Sequence, residues 1–434
     1  MRKRMLWLVA LSAASATVGL VTPLPNEPFA TAAERQVSEV DLGDHFRSPE
    51  QKSLVTFVTE GGATYYVPKG AEDRLGPVVP ADEFVGKHLG NGQLDTHILS
   101  DPGTDDFPAA IYIMAKKERF RLLSLTAGFG NVHPRMTLKN AKLCVALTGR
   151  LDIPVFRGAQ FPLGGTLPDA AAAEHGQDGL GGARPFNFEK AVKPDLAKVT
   201  VKDDGPAFVA QDVLQRYKNG AEPVLVVSVG PLTDLYRALE RVVREDPKAL
   251  EKVRVSIMGG GVALKGWHTN VTPWSEFNFF QDPLAAKAAF EILEQRNVPT
   301  IIAPLDLTHQ TSVSPLFGGR HLEQLAARDK NPVADMVAQL FSHVGSFDRE
   351  RSMDVYGFNW RRRFMHDVNA ASVLARSDLY KGFTARVRVT GEGEQRGMVT
   401  TTADLQGNAF VLVGGEPEAI VRHWLETFAT YTGH

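Results

Sequence analysis

An α/β fold with a mostly parallel central sheet and flanking helices follows from three observations in the sequence. Short apolar runs rich in Val, Ile and Leu alternate with segments of helical period from about residue 94 onward. That alternation of strand and helix means βαβ units, whose strands lie parallel, and the run 224–229 reads as a buried strand. Gly, Asn, Asp and Pro follow the runs at once, the punctuation that ends a strand and turns the chain. A chain of 434 residues, 43% of them hydrophobic, fills one large domain of this class or two smaller ones.

Charge and cysteine content narrow the function. Lys and Arg number 48 against 50 Asp and Glu, so no basic surplus points to nucleic acid or an anionic membrane. The single cysteine, Cys144, excludes an internal disulfide framework and a Cys-based zinc site, and reads as a small buried hydrophobe.

Residues 1–33 have the form of an export signal. Met1-Arg2-Lys3-Arg4 is a positive n-region, an apolar run extends over 5–21, and Ala30-Thr31-Ala32-Ala33 supplies small residues for cleavage. A secreted or periplasmic protein is expected. The competing reading is an uncleaved anchor, because the run approaches the lower spanning length. Beyond the signal no segment is long and apolar enough to span a membrane, so no membrane partner is expected.

Residues 34–94 form an N-terminal extension. Two β-rich runs, 55–59 and 64–67, flank Glu60-Gly61-Gly62-Ala63 and predict a hairpin; Pro and Gly then dominate up to Gly92. The main domain, 95–434, opens with an apolar run into Asp101 and a helix over about 107–115. A strand at 120–126, a loop through Gly130-Asn131, a helix over 137–148 and a strand at 152–156 follow. After a Gly/Pro-rich excursion over 159–200 the rhythm resumes with strands at 224–229, 253–258 and 300–305, and helices at 283–294, 321–329, 333–345 and 417–430. In such a sheet ligands bind beyond one set of strand ends, so Asp101, Asn131, the 259–278 loop and Asp306 are expected to face one crevice.

Four stretches there carry chemistry. In Ser100-Asp101-Pro102-Gly103-Thr104-Asp105-Asp106 the turn brings three carboxylates together. Asp105 or Asp106 can cap the following helix and Pro108 suits its first turn, so a capped helix with a solvated acidic turn is one reading. A cation among crowded carboxylates is the other. Asn270-Val271-Thr272-Pro273-Trp274-Ser275-Glu276-Phe277-Asn278 offers donors and acceptors for several hydroxyls, or a polar surface loop. His366-Asp367 starts a helical segment, as a cap or as an acid/base beside a metal ligand. Gly259-Gly260-Gly261 lacks a Walker ending and a dinucleotide fingerprint, and reads as close backbone packing beside the site.

Taken with Gly130-Asn131-Val132, His175 to Gly182, Gly230-Pro231-Leu232-Thr233-Asp234, Leu305 to Gln310 and Arg396-Gly397-Met398, these segments resemble the inosine-uridine preferring nucleoside hydrolase family in order and spacing, from about residue 95 to the C-terminus. The resemblance implies a Rossmann-like, nucleoside hydrolase type of α/β fold. It also implies a ribonucleoside hydrolase that cleaves the N-glycosidic bond of purine or pyrimidine nucleosides, releasing ribose and base through a calcium-held water. By the same resemblance Ca²⁺ is held by Asp101, Asp106, Asp367 and the carbonyl of Val229, and Asp101 is the general base. Asp105, Asn131, Asn270, Glu276 and Asn278 match ribose-binding positions, and His366 matches the proton donor to the leaving base. A homo-oligomer is expected on the same ground.

The chain departs from the family pattern in four places. Leu99 stands where an Asp is usual, and Val368 where a Pro usually follows His-Asp. The run 356–363 is unusually basic, with Tyr356, Phe358 and Trp360 placed to stack on a base or to pack, and the extension has no family counterpart. Leu99 leaves open a catalytically weak nucleoside- or ribose-binding protein on the same scaffold, and the hairpin an interaction module.

Overall fold

Strands whose residues are apolar on both sides have to lie inside the molecule, and the computed structural model places them there. It describes residues 36–38, 55–60, 63–68, 77–168, 171–185, 188–262, 269–313, 320–355 and 363–433. The export signal and the aromatic residues Tyr356, Phe358 and Trp360 lie outside the described residues.

Strands β1 (Gln36–Ser38), β2 (Val55–Glu60) and β3 (Ala63–Pro68) form a separate three-stranded antiparallel sheet, in which the expected hairpin is β2–β3. The main sheet has 11 strands. Its first half comprises β4 (Val79–Pro80), β5 (Leu94–Ser100), β6 (Phe120–Ala127), β7 (Val155–Arg157) and β8 (Val201–Lys202). Next come β9 (Val224–Ser228), β10 (Val253–Met258) and β11 (Thr300–Ala303). A small separate pair, β12 (Ser312–Val313) and β13 (Arg363–Phe364), precedes β14 (Tyr380–Val389), β15 (Val399–Ala403) and β16 (Ala409–Gly415).

The order across the sheet is β15-β14-β16-β11-β10-β9-β5-β6-β7-β8, with β4 beside β14. From β16 to β8 neighbouring strands are parallel; β14 runs antiparallel to its partners. The chain therefore winds outward from β5 to β8, returns to β9 at the side of β5, and winds outward the other way. The reversal opens a crevice beyond the ends of β5 and β9, where ligands bind in open α/β sheets.

Residue period assigns the layers. Along β5, Ile98 packs with one face's core and Leu99 with the other's. The first face holds the helices Asp106–Ala115, Pro134–Leu147, Val368–Ala375 and Pro417–Thr430. The second holds Gly205–Lys218, Thr233–Glu245 and Pro283–Gln295. In Thr233–Glu245 the buried Leu235, Ala238, Leu239 and Val242 make the i, i+3, i+4, i+7 stripe that fastens such a helix to a sheet. Cys144 is buried in the first core, as expected.

Several elements differ from the sequence expectation, which has no helix at Gly205–Lys218 and none of the strands β14, β15 and β16. A helix, Ala81–Leu89, occupies a stretch read as Pro/Gly-rich loop, and its Ala81, Phe84, Val85 and Leu89 join the first core. The helix expected to end at 345 continues as Pro332–Val355, because one Gly inside a helix costs only about 1 kcal/mol against Ala. Asp105 holds the N-cap position of Asp106–Ala115, but its backbone is already right-handed helical and its side chain makes no capping bond. The side chain is left for the crevice.

Candidate active site

The crevice residues leave the sheet at its C-terminal edge. Asp101 follows β5 and Val229 follows β9, two strands in register at Leu99 and Ser228; the Val229 N–H donates to Leu99 O at 2.9 Å. Asn131 lies beyond β6, the 259–278 loop beyond β10, and Asp306 beyond β11.

Asp106 is the most heavily bonded carboxylate there. Ser100 Oγ (2.8 Å) and the Asp101 N–H (3.2 Å) donate to its Oδ1; the Gly103 N–H (3.0 Å) and Asn131 Nδ2 (2.7 Å) donate to its Oδ2. Asp101 receives the Asn131 N–H on Oδ2 at 2.7 Å, while its Oδ1 is buried with no hydrogen-bond partner. Glycine makes this approach possible. A Cβ on Gly130, at φ +153°, would overlap Asp101 Oδ2, and one on Gly230 would come within 2.5 Å of Oδ1.

Ligand oxygens of Asp105, Asp106 and Asp367 lie within 4.8 Å of one another, and all three side chains are buried. Burial pushes all three carboxyl groups above the ordinary range, against the hydrogen bonds that Asp106 accepts; repulsion from neighbouring carboxylates adds to burial at Asp105 and Asp367 and takes them well above it. Asp101 is driven well up as well, by burial first and then by Asp106. A divalent cation among these oxygens turns repulsion into coordination. The unpartnered Asp101 Oδ1 and the second lone pair of the Val229 carbonyl, which accepts Asn278 Nδ2 at 3.1 Å, add further oxygen donors. This donor set fits calcium: hard oxygens only.

Beside the carboxylates, Glu276 caps the helix Phe277–Gln281. Its Oε1 takes the Asn278 N–H (2.8 Å), and its Oε2 takes those of Gly260 (2.9 Å) and Phe279 (3.2 Å). Burial raises its pKa to about 7 against these donors. Asn278 Nδ2 also reaches Met258 O at 3.3 Å, and Asn270 Oδ1 accepts the Phe277 N–H at 2.9 Å. Asn131 donates its side-chain amide to Asp106 and to Asp101 O (3.2 Å). Gly259 and Gly260 pack against Phe279, Glu276 and Val399, the close backbone approach expected of the glycine run. Asp306 accepts the Val262 N–H on Oδ2 at 2.8 Å and so tethers the loop after those glycines.

Two histidines border the crevice. His366 is half-buried in a triangle of rings with Phe364 (5.6 Å) and His309 (5.5 Å), which are 5.1 Å from each other, with Nδ1 2.7 Å from Thr308 Oγ; burial lowers its pKa to about 4. His175 accepts the Thr104 N–H on Nδ1 at 3.1 Å, so its proton sits on Nε2, and burial lowers its pKa to about 3. Neither the Thr104–His175 contact nor Thr308 was assigned from sequence, since both partners arrive from distant segments; Gly103 was the available signal, because a Cβ there would meet His175 Nδ1 at 2.6 Å.

A family model, inosine-uridine preferring nucleoside hydrolase, matches residues 94–422. The chain belongs to that family. It is 29% identical over 326 residues to the pyrimidine-specific ribonucleoside hydrolase RihA of Escherichia coli, covering 74% of this chain and 90% of that protein. An uncharacterised protein of Schizosaccharomyces pombe is 30% identical over 298 residues, covering 68% of this chain and 85% of that protein. Among solved structures, a plant nucleoside hydrolase superposes with a TM-score of 0.62 at 25% identity, covering 78% of this chain and 99% of that one. A purine-preferring ribonucleoside hydrolase from Gardnerella vaginalis gives 0.64 at 21% identity with the same coverage, a likeness of fold. The nucleoside hydrolase fold and N-glycosyl hydrolase class expected from sequence are thus in place.

Proposed function

We propose that this nucleoside hydrolase is calcium-dependent and cleaves both purine and pyrimidine ribonucleosides. The observation that carries the calcium requirement is the buried trio Asp105, Asp106 and Asp367 beside the unpartnered Asp101 Oδ1. Asp101, Asp106, Asp367 and the Val229 carbonyl would hold Ca²⁺, which supplies Lewis acidity toward water and an anchor for the ribose diol.

Asp101 takes the proton of the attacking water while the water oxygen bonds to C1′ of the ribose. The C1′–N bond breaks with its electron pair on the base, and positive charge develops on the sugar. Glu276, fixed by three backbone N–H groups, is a rigid acceptor for ribose hydroxyls, joined by Asp105, Asn131, Asn278 and Asn270, whose Oδ1 is held by the Phe277 N–H. His366, its Nδ1 held 2.7 Å from Thr308 Oγ, is oriented to offer a proton from Nε2 to the departing base when Thr308 is the donor in that pair. Export belongs to the same proposal and rests on residues 1–33.

Purified protein with inosine or uridine is expected to release ribose, and a chelator to stop the release. Asp101→Asn should abolish turnover, and His366→Ala should lower kcat more than nucleoside affinity. Tight nucleoside binding with no ribose release would overturn the enzyme reading. It would favour the binding-protein alternative to which Leu99 points.

A further inference from the structure

The segment joining β14 to β15 has no part in the chemistry above, yet it grips the loop that carries Glu276. It folds on itself through Gly397 N–H to Thr390 O (2.7 Å), Thr390 N–H to Met398 O (3.0 Å) and Met398 N–H to Gln395 O (2.9 Å). Four contacts then run from this arm and the start of β15 to the surroundings of Glu276. Fully buried Ser275 donates its Oγ proton to Arg396 O, and its backbone forms an antiparallel bridge with Met398. The Arg396 guanidinium lies 4.7 Å over the Phe280 ring. Val399 closes on Gly260, whose N–H is one of the donors to Glu276.

Backbone–backbone bonds inside the loop are long by comparison: Val271 N–H to Ser275 O is 3.3 Å, Ser275 N–H to Thr272 O 3.4 Å and Thr272 N–H to Ser275 O 3.5 Å. Two side chains tie the loop as well, Asn270 Oδ1 to the Phe277 N–H (2.9 Å) and Thr272 Oγ1 to the Trp274 N–H (3.1 Å), and the arm adds the contacts that reach Ser275 from outside. Gly397 sits at φ +81° between the two, where a Cβ would stand 3.0 Å from Ser275 Oγ and 3.1 Å from Phe279 O.

We propose that Ser275 is a positioning residue for substrate binding, and that the 390–398 arm, through Ser275, Arg396 and Gly397, holds the ribose-gripping loop in register with the carboxylates. The inference rests on the proposed ribose role of Glu276 and Asn278. None of its contacts involves Asp101, Asp105, Asp106 or Asp367, and it reaches the Val229 carbonyl only at one remove, through Asn278 Nδ2, so a defect in the arm lowers sugar affinity with little effect on metal affinity.

The test measures nucleoside KM and kcat, ribose Kd by calorimetry, and calcium affinity, on the full chain with calcium present. Ser275→Ala is expected to raise KM and ribose Kd about tenfold, the equivalent of one lost buried hydrogen bond. The expected kcat stays within about twofold and calcium affinity is unchanged. Gly397→Ala should show the same split, and exposed Arg396→Ala a smaller rise of about threefold. Exposed Glu394→Ala, on the same arm, should match wild type. Unchanged KM and ribose Kd in Ser275→Ala and Arg396→Ala would overturn the proposal, as would calcium affinity falling in step with KM. Wild type that binds ribose without turnover overturns the hydrolase reading alone, because ribose Kd still tests the arm. Wild type that neither binds ribose nor releases it overturns both.

Discussion

Leu99 lies between Thr126 and Ser228 on the adjoining strands, in register with each. The Oγ1 of Thr126 and the Oγ of Ser228 are buried without a hydrogen-bond partner. An apolar side chain thus fills a slot whose two walls are hydroxyl-bearing, at the position where an acid is usual in the family. A buried hydroxyl without a partner costs about 1–3 kcal/mol. Thr126→Val, which keeps the shape, and Ser228→Ala are each expected to raise stability by about 1 kcal/mol in urea denaturation; a loss of stability would mean that the hydroxyl is satisfied. At this scale the sequence was legible where chemistry is concentrated in a few neighbours: Asp101, Asp105 and Asp106 stand in one turn, as Pro102-Gly103 predicts. What could not be read were pairings such as Ser275 with Arg396 or Thr104 with His175, since nothing local distinguishes these side chains from surface residues.

Among the elements, the strap after β7 shows how a buried acid sets a pH response. Asp234, at the start of Thr233–Glu245, accepts the Ala159 N–H at 2.7 Å, and its carboxylate lies where a Cβ on Gly128 or Gly158 would be. Burial raises its pKa to about 6, opposed by the Ala159 N–H and Arg237. The folded state therefore holds this proton more tightly than the unfolded chain. Its contribution is favourable below the ordinary carboxyl range near 3.8 and is lost as pH rises through 6. Asp234→Asn keeps an acceptor for Ala159 and removes the charge. It should match wild type near pH 4 and be more stable by about 3 kcal/mol at pH 8; equal denaturation midpoints at pH 8 would refute this. A strand such as β9 was readable because a doubly buried strand is a near-continuous apolar run, and β10 because Val253, Val255, Ile257 and Met258 give it a β-branched, apolar frame. The helix Ala81–Leu89 was not, because Pro80, Gly86 and Gly90 mask its 81, 84, 85, 89 apolar spacing.

For the whole molecule, the proposed calcium site would link folding to metal binding, because the crowded carboxylates repel one another without a cation. Calcium at a hundredfold excess over its Kd is expected to stabilise the protein by about 2.7 kcal/mol. The rise in Tm should vanish with chelator. Asp367→Asn relieves repulsion, so it should raise the Tm of the metal-free protein and abolish the calcium-dependent rise; a lower metal-free Tm would contradict the charge-crowding account. The strand order also has a consequence for how the molecule assembles. Asp101, Asp105 and Asp106 are synthesised with the first half of the sheet, Val229 begins the second, and Asp367 arrives only after β13. No early portion of the chain carries a full set of ligands, so closure of the β5–β9 seam and docking of the helix Val368–Ala375 must precede tight ion capture. On the proposed ligand set, ion affinity would report topology: a chain that had not threaded both windings would lack part of the cation's ligands.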